Sequence, residues 1–278
     1  MPTPPPPRLL DWLDTISALA RQAGDVVMAV YATDFAVQGK ADASPVTLAD
    51  VQAEAVILAG LRALTPDIPV VAEEEAAAGL APQATASGRF WLVDPLDGTR
   101  EFVARNGQFT VNIALIEHGR PLLGVVLAPA ISGQAGGQTG GPAGVLYAGL
   151  VGHGAWVEDG AGRRPIHCRA VPAAGLAVLA SRSHGDAAAL DAFLAVYLAG
   201  RRVAQLGTAG SSLKLCLLAA GEADLYPRLG RTMEWDIAAG HAVLAAAGGS
   251  VCRIDTGAPL AYGKPGYENP HFVAAGLG

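Results

Sequence analysis

Residues 90 to 99 read Phe90-Trp91-Leu92-Val93-Asp94-Pro95-Leu96-Asp97-Gly98-Thr99, an apolar run, two acids bracketing Pro-Leu, and then Gly-Thr. The apolar half, Phe90 to Val93, is a short β-like run. It stops at Asp94. Pro95 carries no N–H and fixes its own φ, so the chain turns there, both acids can point to one side, and the Leu96 carbonyl is free to coordinate. A helical turn is expected from Arg100, which makes Gly98 and Thr99 a helix start whose exposed amides suit a phosphate group.

Working outward from this stretch, Ile68 to Ala72 is a second short β-like run, and it too ends in acids, Glu73-Glu74-Glu75. Before it, Thr47 and Asp50 sit three apart as a capping pair, with Val51, Glu54, Ala55, Leu58 and Leu61 following at helical spacing. Leu9, Trp12, Leu13, Ile16, Leu19, Ala20, Ala23, Val26, Val27 and Val30 predict a long first helix. After the motif, Phe109 to Ile116 and Leu122 to Leu127 flank His118-Gly119-Arg120-Pro121 and predict a hairpin. Ser132 to Gly144 holds six glycines and little that packs, so it reads as a loop. Val145 to Val157 returns to strand character.

From about Gly175 strands and helices alternate. The expected strands are 176–180, 203–206 and 224–226, and the expected helices are 187–198, 211–220 and 235–247. Such alternation predicts an α/β second half.

The candidate acids therefore stand at strand ends or helix starts: Glu73 to Glu75, Asp94, Asp97 and, opening the last helix, Asp236. Clustered carboxylates are hard oxygen donors that suit Mg²⁺ or Mn²⁺. A metal cluster beside a phosphate-binding turn points to metal-assisted phosphoryl hydrolysis. The Thr99 hydroxyl can then hold the attacking water, and a carboxylate without metal, with Asp50 the candidate, can take its proton. Each feature alone has an ordinary explanation: a solvated acidic run, an Asp-Gly turn, helix caps at Asp50 and Asp236. Their placement at successive strand ends is what favours a site.

Composition narrows the classes. The chain of 278 residues carries a net charge of −6, which disfavours a nucleic-acid polymer as partner. Three scattered cysteines, Cys168, Cys216 and Cys252, suit a reducing compartment. Residues 1–7 form a proline-rich tail without signal-peptide pattern, and no apolar run is long enough to be an integral membrane segment. A cytoplasmic protein is expected.

Trp91 to Thr99 resembles the signature of the inositol monophosphatase superfamily, and Trp235-Asp236-Ile237-Ala238-Ala239-Gly240 resembles its second signature. Arg100-Glu101-Phe102, Arg105 to Ile116, Ser181 to His184, Gly210 to Lys214 and Leu225 to Arg228 are most similar to its 3′(2′),5′-bisphosphate nucleotidase branch. The resemblance implies an α/β fold, a layered αβαβα sandwich forming one domain over 8–278, with subdomains of about 8–170 around the metals and 171–278 on the nucleotide side. It implies Glu73, Asp94, the Leu96 carbonyl, Asp97 and Asp236 as ligands of two Mg²⁺ ions bridged by Asp94, a third weaker ion near Glu73, and Mn²⁺ as a substitute. Asp50 and Thr99, with Glu73, would serve catalysis, and Gly98 and Thr99 amides would hold the phosphate. His184, Ser211, Lys214 and Arg228 would face the nucleotide, and Glu73, Leu96, Asp97 and Asp236 would also line the substrate.

The implied reaction is Li⁺-sensitive removal of the 3′-phosphate of adenosine 3′,5′-bisphosphate, giving AMP. Action on adenosine 3′-phosphate 5′-phosphosulfate is a related expectation, and sulfur metabolism is the setting. The alternatives are an inositol-1-monophosphatase and, in another class, a non-catalytic nucleotide sensor. A monomer and a homodimer are both open, as is peripheral contact with the cytoplasmic face of the inner membrane. Two departures stand out: 132–144 is long and loose for the family, and Glu75 has no implied role.

Overall fold

The structure is a computed structural model that describes residues 7–39, 45–82, 88–131, 144–181 and 187–277. His184, most of the glycine-rich segment and most of the proline-rich tail lie outside these residues. In chain order the elements are α1 (Pro7–Tyr31), β1 (Val37–Gly39), β2 (Pro45–Thr47), α2 (Leu48–Leu64), β3 (Val70–Ala72), α3 (Glu73–Ala77), β4 (Arg89–Asp97) and α4 (Thr99–Val103). Then come β5 (Thr110–Glu117), β6 (Arg120–Ala128), β7 (Val145–Leu150), β8 (Gly154–Asp159), β9 (Gly162–Ile166), β10 (Leu176–Ser181) and α5 (Ala187–Tyr197). The chain closes with β11 (Val203–Ala209), α6 (Leu213–Ala219), β12 (Leu225–Arg228), α7 (Glu234–Ala246), β13 (Ser250–Arg253) and β14 (Phe272–Ala275).

Strands β3 to β9 form a seven-stranded sheet in sequence order, antiparallel except for the β3–β4 pair. The remaining large sheet has the order β11-β10-β12-β14-β13, with β10 parallel to both neighbours and β14 antiparallel to both of its own. Successive side chains of a strand point to opposite faces. Trp91 and Val93 pack on one face with α1 and α2, while Phe90 and Leu92 pack on the other with α6 and α7. That second core continues into the five-stranded sheet through Tyr226, Val251 and Phe272. Its outer face buries Leu176, Val178 and Val273 against Leu194 and Leu198 at the C-terminal end of α5. The result is five layers, α/β/α/β/α. Both faces of β4 to β7 are covered, which explains why those strands read as nearly unbroken apolar runs.

α7 lies almost on the seven-stranded sheet. A Cβ on Gly124 of β6 would come within 2.6 Å of the Ala239 carbonyl oxygen, and one on Gly149 of β7 within 2.8 Å of the Val243 Cα. Glycine is needed there for close approach, not for turning.

Several elements were not legible as single strands. The 145–157 run is two strands broken at Gly152, which holds a φ of 82°. The β1–β2 ribbon, β9, β13 and β14 are three to five residues long and owe their conformation to their pairing partners. Glu73 to Glu75, expected to follow a strand end, do so and also open the short helix α3.

Candidate active site

The acids of the motif face one way because of a register slip. Asp94 pairs with Asn112 and Asp97 with Thr110, so three steps on β4 oppose two on β5. The extra residue is a bulge at Pro95-Leu96, and it turns an odd spacing into a same-side one. Gly98 then takes a φ of 90°, a left-handed conformation open to glycine, and leads into α4.

Asp94 is almost wholly buried, and its backbone neighbour Leu96 donates its N–H to Asp94 Oδ1 at 3.0 Å. Burial raises the Asp94 pKa well above the carboxylate range, and Glu73, Asp97 and Asp236 push it further; Glu73 also hydrogen-bonds to it. Burial likewise raises Asp236, with Asp97 and Glu73 adding to it. Asp97 is pushed up to about 6 by burial, against the opposing pull of Lys214, the Ser212 N–H and Asn112. Four carboxylates from three separate elements, α3, β4 and α7, thus lie within electrostatic reach of one another.

No three of the described acids stand close enough together to grip an ion as they are. Their mutual electrostatic effect reaches further than a coordination bond. The donor set fits a hard divalent cation: it is oxygen only, built from carboxylates, with Asp94 buried and the others partly so.

Asp50 is both a cap and a site residue. Its Oδ2 accepts the Thr47 N–H at 2.7 Å and the Thr47 hydroxyl at 2.8 Å, closing the first turn of α2. Its Oδ1 receives the Thr99 hydroxyl at 3.3 Å, and that hydroxyl is equally far from the Leu96 carbonyl. Asp236 repeats the pattern, with Oδ2 accepting the Met233 N–H at 2.9 Å at the start of α7.

Glu73, Asp94, Leu96, Asp97, Thr99 and Asp236 line a cavity of about 890 Å³ that also reaches Ser211, Lys214 and Arg228; Asp50 stands behind its wall. Lys214 is buried in the first turn of α6. Its Nζ donates to the carbonyls of Ala209 and Ser211 at 3.1 and 2.6 Å, and sits 5.2 Å from the centroid of Tyr226. Burial, opposed chiefly by Asp97, lowers its pKa to about 8, so Lys214 stands beside the acids as well as at the cavity wall. Arg228, equally buried, donates to Ser181 Oγ at 2.8 Å, the Arg231 carbonyl at 2.7 Å and the Gly230 carbonyl at 3.2 Å. Ser211 holds a φ of 44° and its buried Oγ has no hydrogen-bond partner among the described residues, a strained residue with an unspent polar group at the cavity.

The sequence reading missed three contributors. The buried carboxylate of Glu54 accepts the N–H groups of Glu74 and Glu75 at 2.7 and 2.9 Å and so fixes α3, which carries Glu73. Its signal was an acid within the apolar stripe of α2. Asn112, a polar residue inside the apolar run of β5, links Asp97 and Ser212. Trp235 and Tyr267, with ring centroids 5.8 Å apart, form an apolar side of the cavity with Ala76, Ala77 and Ala81. Glu75, by contrast, pairs with Arg62 at 2.8 Å on the surface.

The family model described as "Inositol monophosphatase family" matches residues 9–276. The chain belongs to the inositol monophosphatase family. It is 48% identical over 263 residues to the 3′(2′),5′-bisphosphate nucleotidase CysQ of Escherichia coli (strain K12), covering 94% of this chain and 98% of that protein. The crystal structure of CysQ from Bacteroides thetaiotaomicron is 33% identical, with a TM-score of 0.77 over 95% of this chain and 97% of that one. The inositol monophosphatase from Anabaena (Nostoc) sp. PCC 7120 is 26% identical, with a TM-score of 0.72 over 97% and 92%. The α/β sandwich expected from the motifs is therefore the family's fold. Among the described residues no helix is long and apolar enough to cross a membrane.

Proposed function

We propose that this chain is a Mg²⁺-dependent 3′(2′),5′-bisphosphate nucleotidase that removes the 3′-phosphate of adenosine 3′,5′-bisphosphate. The observation that carries the reading is the single cavity with a carboxylate cluster at one side and buried Lys214 and Arg228 at another. It is supported by near-full-length identity to a protein of that name. A bisphosphate offers two anionic groups, one for each region; a monophosphate leaves the cationic region unused.

Asp94, Asp97, Asp236, Glu73 and the Leu96 carbonyl would hold Mg²⁺, two ions with a third weaker one near Glu73. When bound, the ions supply positive charge to the phosphate oxygens and ease ionisation of the attacking water. The Thr99 hydroxyl orients that water, and Asp50 accepts its proton as the water oxygen bonds to phosphorus. The 3′-oxygen leaves with the bonding pair and is protonated from solvent, giving AMP and phosphate. Amides of Gly98 and Thr99 hold the reacting phosphate, while Ser211, Lys214 and Arg228 face the nucleotide, with His184 as a further contact that the resemblance implies. Adenosine 3′-phosphate 5′-phosphosulfate presents the same 3′-phosphate and is a second substrate of this reading, which places the chain in cytoplasmic sulfur metabolism.

Phosphate release from adenosine 3′,5′-bisphosphate and from inositol 1-phosphate, each with and without Mg²⁺, tests this. Mg²⁺-dependent preference for the nucleotide is expected. Preference for inositol 1-phosphate would transfer the chain to the inositol monophosphatases proper, and no release from either would leave a nucleotide sensor.

A further inference from the structure

Ser212 precedes α6, is 2% exposed, and touches both sides of the acid cluster. Its N–H donates to Asp97 Oδ2 at 2.6 Å. Its hydroxyl donates to the backbone carbonyl of Asp236 at 2.6 Å and accepts from Asn112 Nδ2 at 2.9 Å. That same Asn112 nitrogen lies 3.4 Å from Asp97 Oδ2. A hydroxyl has one proton to give, and here it goes to α7, so the bond from β5 must be the accepted one. The other end of the Asn112 amide, Oδ1, is buried without a hydrogen-bond partner among the described residues. Its orientation is thus set by what Nδ2 donates to, which is Ser212 and Asp97.

We propose that Ser212 is a positioning residue that fixes the separation of the Asp97 and Asp236 carboxylates, and so tunes how tightly the cluster binds a divalent cation. The proposal rests on reading those acids as cation ligands. Asp97 ends β4 in the seven-stranded sheet, and Asp236 opens α7. Ser212 lies on the crossover leaving β11 of the other sheet, so one small side chain ties three structural units at the point where their acids meet. The ordinary role for a serine before a helix is to cap it. Ser212 makes no side-chain cap bond to α6; its hydroxyl points away from its own helix to α7.

Groups that hold ligands from behind typically change metal affinity by about 10- to 100-fold when removed. The test is a Mg²⁺ titration of thermal unfolding for the full chain, Ser212→Ala and Ser212→Thr. In the unaltered protein Tm rises with Mg²⁺. Ser212→Ala keeps the N–H to Asp97 but loses the link to α7, and its Mg²⁺ midpoint is expected to rise by about 10-fold or more. Ser212→Thr retains the hydroxyl and should lie near the unaltered protein. If Ser212→Ala does not fold, Asn112→Ala takes its place, removing the β5 side of the link with a smaller rise expected. An unchanged midpoint in a folded variant, whatever its Tm without Mg²⁺, overturns the positioning role alone. No Mg²⁺ response in the unaltered protein overturns the cation reading and the positioning role with it.

Discussion

The Thr99 hydroxyl lies 3.3 Å from one carboxylate oxygen of Asp50, while the other oxygen of Asp50 closes the first turn of α2. The two residues are 49 positions apart, and the helix start fixes the geometry of the pair. The capping duty is compatible with Asn; accepting a proton from water is not.

Asp50→Asn is therefore expected to keep its Tm within a few degrees and to lose about 100-fold or more in kcat. Thr99→Ala should likewise fall mainly on kcat, because the amide contacts to phosphate persist. Steady-state kinetics alongside thermal unfolding separate these effects. A rise in KM alone for Thr99→Ala would make Thr99 a binding residue.

Arg228 is tied to Ser181 and to the carbonyls of Gly230 and Arg231, so its charge faces the cavity from a fixed position. Arg228→Ala should reduce kcat/KM for adenosine 3′,5′-bisphosphate by roughly 30- to 150-fold, corresponding to a lost charged contact of about 2–3 kcal/mol. A substrate with a single phosphate should lose little. Equal losses on both would show that Arg228 chiefly holds the 228–231 segment.

His241, buried in α7 with Nδ1 2.8 Å from the Tyr262 hydroxyl, is held to a pKa of about 3 by burial. It is neutral in both folded and unfolded chains above its ordinary pKa of about 6.5. Below that pH the unfolded chain takes up the proton first, so stability falls by up to about 1.4 kcal/mol per pH unit until the folded pKa is reached. His241→Gln keeps a polar partner for Tyr262 without titrating. Urea denaturation between pH 6 and 4 should show a shallower loss for the variant, and parallel curves would refute the assignment.

Gly124 admits α7 to the sheet. Gly124→Ala would press a methyl against the Ala239 backbone and is expected to cost about 1–3 kcal/mol, read as a lower urea midpoint with unchanged m-value.

Much of this was legible because local rules and the fold agree. The helical stripe of α1, the cap at Thr47, the β5–β6 hairpin and the apolar run before Asp94 each carry their own signal. What escaped was set by other parts of the chain. The bulge at Pro95-Leu96 exists only against β5, so the sequence suggests a turn where the structure has a register slip. β14 is a strand because β12 and β13 flank it. The resemblance set Lys214 on the nucleotide side, yet α6 also brings it within electrostatic reach of Asp97, a proximity that spacing along the chain does not encode. Glu54 and Asn112 were visible as polar residues in apolar stripes, but their partners were not.

The sheets divide the chain between Ile166 and Leu176, yet α7 comes from the later part and packs mainly on the earlier sheet. A break in the backbone there would not yield two self-sufficient pieces. The first fragment would present the uncovered floor on which α7 sits, and the second would carry an apolar helix with nothing to cover. Each is the other's missing layer, and Asp236 travels with the second piece while Asp94 and Asp97 stay with the first. Co-expressed, the two fragments should behave as a split enzyme, silent apart and reporting their own reunion through recovered turnover.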